Sequence, residues 1–196
     1  MILDAVPPDR ERALDVGCGT GALTRRLRRL VPRVTGIDRD EQSIKLASAH
    51  PEAADIGYIH GDFLATSFEP ESFDLVTSVA SLHHMDAEAA LRRMSDLLRP
   101  GGVLAIVGLA RGSSPADLGL VIPAVAGTRL HLAAGAWPRR TARPAAAYQP
   151  PIVWPPPVTY QDMRRLAARI LPAARYCRHL YWRYSLVWIK PSAASE

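Results

Sequence analysis

An apolar run that breaks into three glycines within five residues constrains this chain more than any other stretch. Ala13-Leu14-Asp15-Val16 reads as a short buried strand, and Gly17-Cys18-Gly19-Thr20-Gly21 as a tight turn. Ala22-Leu23-Thr24-Arg25-Arg26-Leu27 then opens a helix. Glycines in such a turn adopt φ > 0 and leave bare backbone for a ligand to lie against. The helix start offers unpaired N–H groups and the positive end of its dipole. Strand, turn and helix in this order predict an adenosine-type cofactor at the edge of an α/β sheet.

The turn alone fits two kinds of ligand. Gly17, Gly19 and Ala22 satisfy the G-x-G-x-x-G/A pattern of a dinucleotide site, and Asp38 ends the next strand where a ribose-binding acid belongs. Asp15 separates the two. A carboxylate beneath the turn repels a pyrophosphate and attracts a ligand carrying an ammonium or a sulfonium.

The strands that follow add specificity. Val34-Thr35-Gly36-Ile37-Asp38 reads as a second strand whose terminal carboxylate can accept from both ribose hydroxyls. Tyr58-Ile59-His60-Gly61-Asp62-Phe63 ends a third with an acid and an aromatic, suited to an adenine amine and a ring face. Phe73-Asp74-Leu75-Val76-Thr77-Ser78-Val79 is a fourth. Arg99-Pro100-Gly101-Gly102 reads as a turn into a fifth, Val103 to Gly108. The succession D-V-G-C-G-T-G, G-I-D, G-D-F, F-D-L-V and L-R-P-G-G resembles the class I S-adenosylmethionine-dependent methyltransferases, nearest their small-molecule, ubiquinone-biosynthesis-like branch.

That resemblance spans residues 13 to 109 strongly and the rest weakly. It implies S-adenosyl-L-methionine along the Gly17, Cys18, Gly19, Thr20, Gly21 loop, with Asp15 near the methionine ammonium and Asp38 on the ribose. It also implies Asp62 and Phe63 at adenine, with Arg39 and Asp40 bordering the adenosine. Each has a plainer reading: Asp38 as a helix cap, Asp62 as a turn residue. Cys18 fits as a small side chain and not as a nucleophile.

The acceptor side belongs at the end of the fourth strand, Ser78-Val79-Ala80-Ser81-Leu82-His83-His84-Met85, which the resemblance sets against the donor methyl. Val79 is therefore counted with the cofactor residues. Transfer is an in-line displacement at a sulfonium that already carries the activation. The protein must align the nucleophile and take its proton, for which His83 or His84, as a near-neutral imidazole, is the candidate catalytic base. The competing reading has one of them cap the next helix or bond to backbone.

Composition bounds the rest. A chain of 196 residues suits a single domain (1–196), with a cofactor-binding half at 1–109 and a substrate-side segment with a closing hairpin at 110–196. Helical patterns at Thr20 to Leu30, Glu41 to Ala49 after an Asp40 cap, and Ala87 to Leu98 after an Asp86 cap alternate with the strands. The fold class expected is α/β, a Rossmann-like doubly wound sheet, mostly parallel, closed by an antiparallel C-terminal hairpin. Its strands are Arg175 to Leu180 and Tyr184 to Ile189. Between lie a helix around Ala116 to Val125, an ambiguous Thr128 to Trp137 and a proline-heavy loop from Arg143 to Pro157. Tyr160 to Ile170 is an amphipathic helix.

Net charge is +5, and the basic excess sits at the C-terminus, where residues 139–196 hold ten Arg and Lys against Asp162 and Glu196. Arg164, Arg165 and Arg169 lie opposite Met163, Leu166 and Ile170 at helical spacing, so a solvated helix face accounts for them and nucleic acid is not required. Two cysteines make no metal or disulfide pattern, and no targeting or membrane-spanning segment is visible, which places the protein in the cytoplasm. Only twelve residues precede Ala13, whereas relatives carry a further N-terminal helical segment; the expectation is an open pocket and weaker cofactor binding. The leading expectation is methyl transfer to an O, N or C atom of a small-molecule acceptor, which Tyr148, Trp154, Tyr181 and Trp182 either contact or merely underlie. The alternatives are an RNA or protein methyltransferase, or a cofactor-binding protein without transfer activity.

Overall fold

The chain order repeats strand and helix until a proline-rich second half breaks the rhythm. A computed structural model describes residues 2–112 and 153–192. Its strands are β1 (Arg12–Val16), β2 (Arg33–Asp38), β3 (Ile56–His60), β4 (Phe73–Val79), β5 (Leu98–Leu109), β6 (Arg175–Arg178) and β7 (Arg183–Ile189). Its helices are α1 (Ala22–Arg28), α2 (Glu41–Ser48), α3 (Ala87–Leu97) and α4 (Tyr160–Ile170). The strands form one sheet in the order β3-β2-β1-β4-β5-β7-β6. The first five are parallel, β7 is antiparallel to β5, and β6 is antiparallel to β7. The chain moves outward from β1 through β2 to β3, then crosses back to β4 on the other side of β1. That reversal opens a crevice beyond the carboxyl ends of β1 and β4.

Both faces of the central strands are buried, which is why they read as continuous apolar runs. Leu14, Val16, Leu104 and Ile106 face α3 and α4 together with Leu91, Met94 and Leu98. Ala13, Leu75 and Val103 face α1 through Leu27 and Val31. On β7, Tyr184, Leu186 and Trp188 enter the core, while Ile189 on the opposite face is 62% exposed. Two helix starts are capped as expected: Asp40 accepts from Ser43 N at 2.7 Å and Asp86 from Ala89 N at 2.7 Å.

Several boundaries differ from expectation. The helix after the glycine turn begins at Ala22, because Gly21 is left-handed (φ 77°) and cannot lie inside it. Arg99-Pro100-Gly101-Gly102 is not a turn before β5 but part of it. Leu98 pairs with Phe73 as α3 ends, and the register shifts before Leu75. Gly101 N and Gly102 O exchange hydrogen bonds with Lys190, so the β7 end holds the bulged stretch in the sheet. β6 stops at Arg178, two residues early. The expected elements between Ala116 and Trp137, and the loop from Arg143 to Ile152, lie outside the described residues.

On α4, Met163 and Ala167 are buried and Arg164, Arg165 and Arg169 are exposed. Arg169 bonds both carboxylate oxygens of Glu88 on α3, so part of the basic face is an ion pair between helices. No helix among the described residues is long and apolar enough to cross a membrane.

Candidate active site

The glycine turn leaves β1 with φ of 71° at Gly17, 53° at Gly19 and 77° at Gly21. Gly17 N and Cys18 N both donate to Ile37 O, at 2.8 and 3.1 Å, which ties the turn to β2. A Cβ on Gly17 would lie 2.1 Å from the Cβ of Ser81, so only glycine allows the segment after β4 to approach. At Gly19 the same construction meets nothing within 4 Å. The turn is closed against the protein at one glycine and open at the next.

Asp15 lies beneath that turn and is 1% exposed. Thr24 Oγ1 of α1 donates to its Oδ2 at 2.7 Å, and Thr77 Oγ1 of β4 donates to its Oδ1 at 3.0 Å. Burial pushes its pKa up to about 6, with the two hydroxyl bonds opposing and the Asp38 charge adding slightly. The group is ionised at neutral pH. It acts on the turn through its field, since it is buried beneath the backbone with its oxygens turned to the two hydroxyls. Thr20 lies on the turn, where its carbonyl accepts from Arg25 Nη1 at 2.8 Å. Cys18 is 8% exposed, and burial with two nearby acids raises its thiol pKa, so it is no nucleophile.

Asp38, at the end of β2, accepts from Gly19 N at 2.8 Å through Oδ2 and from Asp40 N at 2.9 Å through Oδ1. It therefore holds the open glycine rather than capping α2, a task that Asp40 performs. Arg39 is exposed and donates from Nη1 to His84 O at 3.4 Å, which links the ends of β2 and β4. Asp62 is exposed; its Oδ1 accepts from Leu64 N at 2.8 Å. Phe63 is placed otherwise than expected. It is 4% exposed, packs on Phe68, and has the Arg93 guanidinium 5.4 Å over its ring, so its side chain serves the core and not a ligand face.

At the end of β4, Val79 is 38% exposed, and just beyond it Ala80 is left-handed (φ 51°), with its N–H donating to Val107 O at 2.7 Å. Ser81 Oγ donates to Val16 O at 2.8 Å and pairs with Ser78 Oγ at 2.6 Å. His83 and His84 follow in a short 3-10 turn, their rings 4.1 Å apart, each with a buried Nδ1 that bonds no protein group. Burial, then the neighbouring His84, lowers the pKa of His83 to about 4. Burial also lowers that of His84, Arg39 adding to the effect and Asp38 opposing it. The near-neutral imidazole expected here is thus corrected: His83 is neutral at physiological pH but only weakly basic, because partial burial disfavours its charged form. Neither histidine caps α3, whose cap is Asp86.

The structure gathers Asp15, the glycine turn, Asp38, Arg39, Val79, His83 and His84 around the crevice, with Asp62 beyond β3. Thr24 and Thr77 were not anticipated, and Ser78 and Ser81, expected on the acceptor segment, bond each other, with Ser81 also bonding Val16 O. The β1–β4 register sets Thr77 beside Asp15, a pairing that only the sheet order reveals.

A family profile described as a methyltransferase domain matches residues 14–106. An uncharacterized methyltransferase of Mycobacterium tuberculosis is 35% identical over 192 residues, covering 97% of this chain and 93% of that protein. A ubiquinone biosynthesis O-methyltransferase of Xanthomonas campestris is 36% identical over 118 residues, 57% of this chain but only 47% of the relative. Among solved structures, a protein of Pyrococcus horikoshii shares the fold, with a TM-score of 0.66 at 17% identity over 96% of this chain and 85% of that one.

Proposed function

This chain belongs to the methyltransferase family, and from that premise we propose that it transfers a methyl group from S-adenosylmethionine to an oxygen, nitrogen or carbon of a small-molecule acceptor. The observation that carries the reading is Asp15, an ionised carboxylate held by two hydroxyls under a bare-backbone turn. Its charge favours a donor with an ammonium and a sulfonium over one bridged by phosphates.

The residues fit such a donor. The open side of Gly19 leaves room along the turn. Each Asp38 oxygen accepts one N–H and keeps a lone pair for a ribose hydroxyl. Asp62 uses Oδ1 within its own turn and offers Oδ2 to the adenine amine. Arg39 borders the adenosine, and Val79 fronts the methionine portion. Bound there, the donor supplies a methyl already activated on a positive sulfur, so the protein's share is alignment and care of the acceptor's proton. His83 and His84, neutral at physiological pH and set just past the end of β4, flank the acceptor and hold its reacting atom in line. Both cysteines are free thiols, and we place the protein in the cytoplasm.

Thermal-shift titration with S-adenosylmethionine, S-adenosylhomocysteine and NAD tests the donor. The first two at a hundredfold excess over Kd are expected to add about 2.7 kcal/mol of stability, and NAD nothing; a shift with NAD alone defeats the reading. The depressed His83 pKa sets a second expectation. Turnover at saturating S-adenosylmethionine, followed as S-adenosylhomocysteine release, should stay level from pH 8 to pH 6, since the imidazole remains neutral throughout and saturation offsets the partial protonation of Asp15. A fall with its midpoint near pH 6.5, about fourfold by pH 6, would show a base of ordinary strength in its place.

A further inference from the structure

The strand register sets four residues in one row beneath the glycine turn. Asp15 of β1 pairs with Thr77 of β4 on one side and Gly36 of β2 on the other, and Gly36 pairs with Tyr58 of β3. Residues paired across parallel strands share a face of the sheet. Here it is the face that carries α1, since Thr24 bonds Asp15. The row therefore runs Thr77, Asp15, a gap, Tyr58.

The gap lets Tyr58 lean inward across β2. A Cβ on Gly36 would lie 3.0 Å from Cys18 Sγ and 3.1 Å from Tyr58 Cδ1, so both side chains use the space that the glycine leaves. Tyr58 is half-buried as a residue, yet its hydroxyl is fully buried. That hydroxyl reaches the far end of the turn. A Cβ on Gly21 would fall on it, and would lie 2.9 Å from Tyr58 Cζ and from Arg25 Nη1. Burial raises the phenol pKa while the adjoining Arg25 guanidinium opposes the rise, so Tyr58 is a neutral wedge at physiological pH. Arg25 Nη1 in turn donates to Thr20 O at 2.8 Å, and Gly21 N donates to Cys18 O at 3.0 Å. Asp15 with Thr24 underlies the start of the turn, and Tyr58 with Arg25 underlies its end.

We propose that Tyr58 is a positioning residue for the donor: wedged under Gly21 beside Arg25, its ring holds the Thr20–Gly21 end of the turn in the shape that S-adenosylmethionine binds. A turn fixed in advance spares the ligand the cost of ordering it. The inference rests on the methyltransferase reading and adds to it a residue that acts on the donor through the backbone alone.

Calorimetry on the full chain with S-adenosylhomocysteine and 5′-methylthioadenosine tests it. Tyr58→Ala is expected to weaken both ligands equally, by about tenfold or more, because the wedge acts through backbone and not through charge. Tyr58→Phe keeps the ring and should bind both within about twofold of wild type. Without ligand, hydrogen exchange of the peptide from Gly17 to Arg28 should quicken in Tyr58→Ala, while that of β4 and β5 keeps the wild-type rate. Ile170→Ala, which loses packing on the opposite face of the sheet, should lower the melting temperature yet leave both dissociation constants alone. Arg25→Met removes the bond to Thr20 O and should weaken both ligands by about threefold or more; it serves in place of Tyr58→Ala should that variant not fold. Wild-type affinity in either variant, equal losses in Tyr58→Phe and Tyr58→Ala, or a matching loss in Ile170→Ala overturns the proposal. Failure of the donor reading looks different, because the wild-type protein would then bind neither ligand.

Discussion

Asp15→Asn is expected to give a protein that is more stable at neutral pH and binds S-adenosylmethionine about thirtyfold more weakly. The stability gain follows from burial. Asp15 titrates near pH 6 in the fold against 3.8 for an ordinary aspartate, so keeping it ionised at pH 7.5 costs on the order of 3 kcal/mol. An asparagine of the same shape carries no charge, and its amide can still bond the Thr24 and Thr77 hydroxyls, which both donate and accept. A net gain of about 1–3 kcal/mol, or roughly 2–4 °C per kcal/mol, should appear in thermal melts. The binding loss follows from Coulomb's law. A carboxylate about 8 Å from an ammonium, at an effective dielectric near 20, contributes about 2 kcal/mol. Calorimetry with 5′-methylthioadenosine, which lacks the amino-acid portion, supplies the control: its affinity should not change. Equal losses for both ligands would mean that the substitution had merely distorted the turn.

The same substitution reveals a hidden pH dependence. A carboxyl whose pKa is raised on folding stabilises the fold most below its unfolded pKa, and that stability is lost as pH rises toward 6. His83 works in the opposite sense. Its pKa falls from 6.5 to about 4, so acidification through that interval protonates the unfolded chain first and removes stability. Between about pH 4.5 and 6 the two slopes oppose, and the wild-type melting temperature should change little. In Asp15→Asn only the histidine slope remains, and the melting temperature should drop as pH falls. A wild type and a variant with parallel profiles would deny Asp15 its raised pKa.

What the chain disclosed by itself was whatever depends on neighbours in sequence. The glycine turn, the Leu91 and Met94 stripe, the Asp40 and Asp86 caps and the Tyr184, Leu186, Trp188 face all follow from local spacing, and each is found in the fold. What stayed hidden depends on partners far along the chain. Thr77 reaches Asp15 across 62 positions, and Ser81 reaches Val16 O across 65. The aromatic after Asp62 was legible as an aromatic, but the arginine of α3 that covers its ring was not. The P-G-G stretch looked like a turn because Lys190, whose backbone holds it in the sheet, comes almost ninety residues later. The histidine pair was visible as residues, while its weakened basicity arises from burial that no local pattern encodes.

Gly17→Ala and Gly19→Ala, two residues apart in one turn, are expected to fail in opposite ways. At Gly17 the new methyl falls 2.1 Å from Ser81 Cβ and 2.4 Å from its Oγ. Ser81 cannot yield, because its hydroxyl is anchored on Val16 O and on Ser78. With φ at 71° besides, a loss of about 3 kcal/mol or more is expected, enough to lower the melting temperature by roughly 10 °C. At Gly19 the methyl enters open space, so only the left-handed backbone costs stability, about 1–2 kcal/mol. The fold survives, with a near-native circular dichroism spectrum. Yet the open side of Gly19 is where the donor must lie along the backbone, and its affinity should fall at least a hundredfold in calorimetry. Wild-type binding in a folded Gly19→Ala protein would mean that the donor does not run along this turn, and the roles assigned to Asp38 and Asp15 would go with it. Because one substitution removes the scaffold and the other only the space, the pair separates damage to the fold from loss of the ligand's seat.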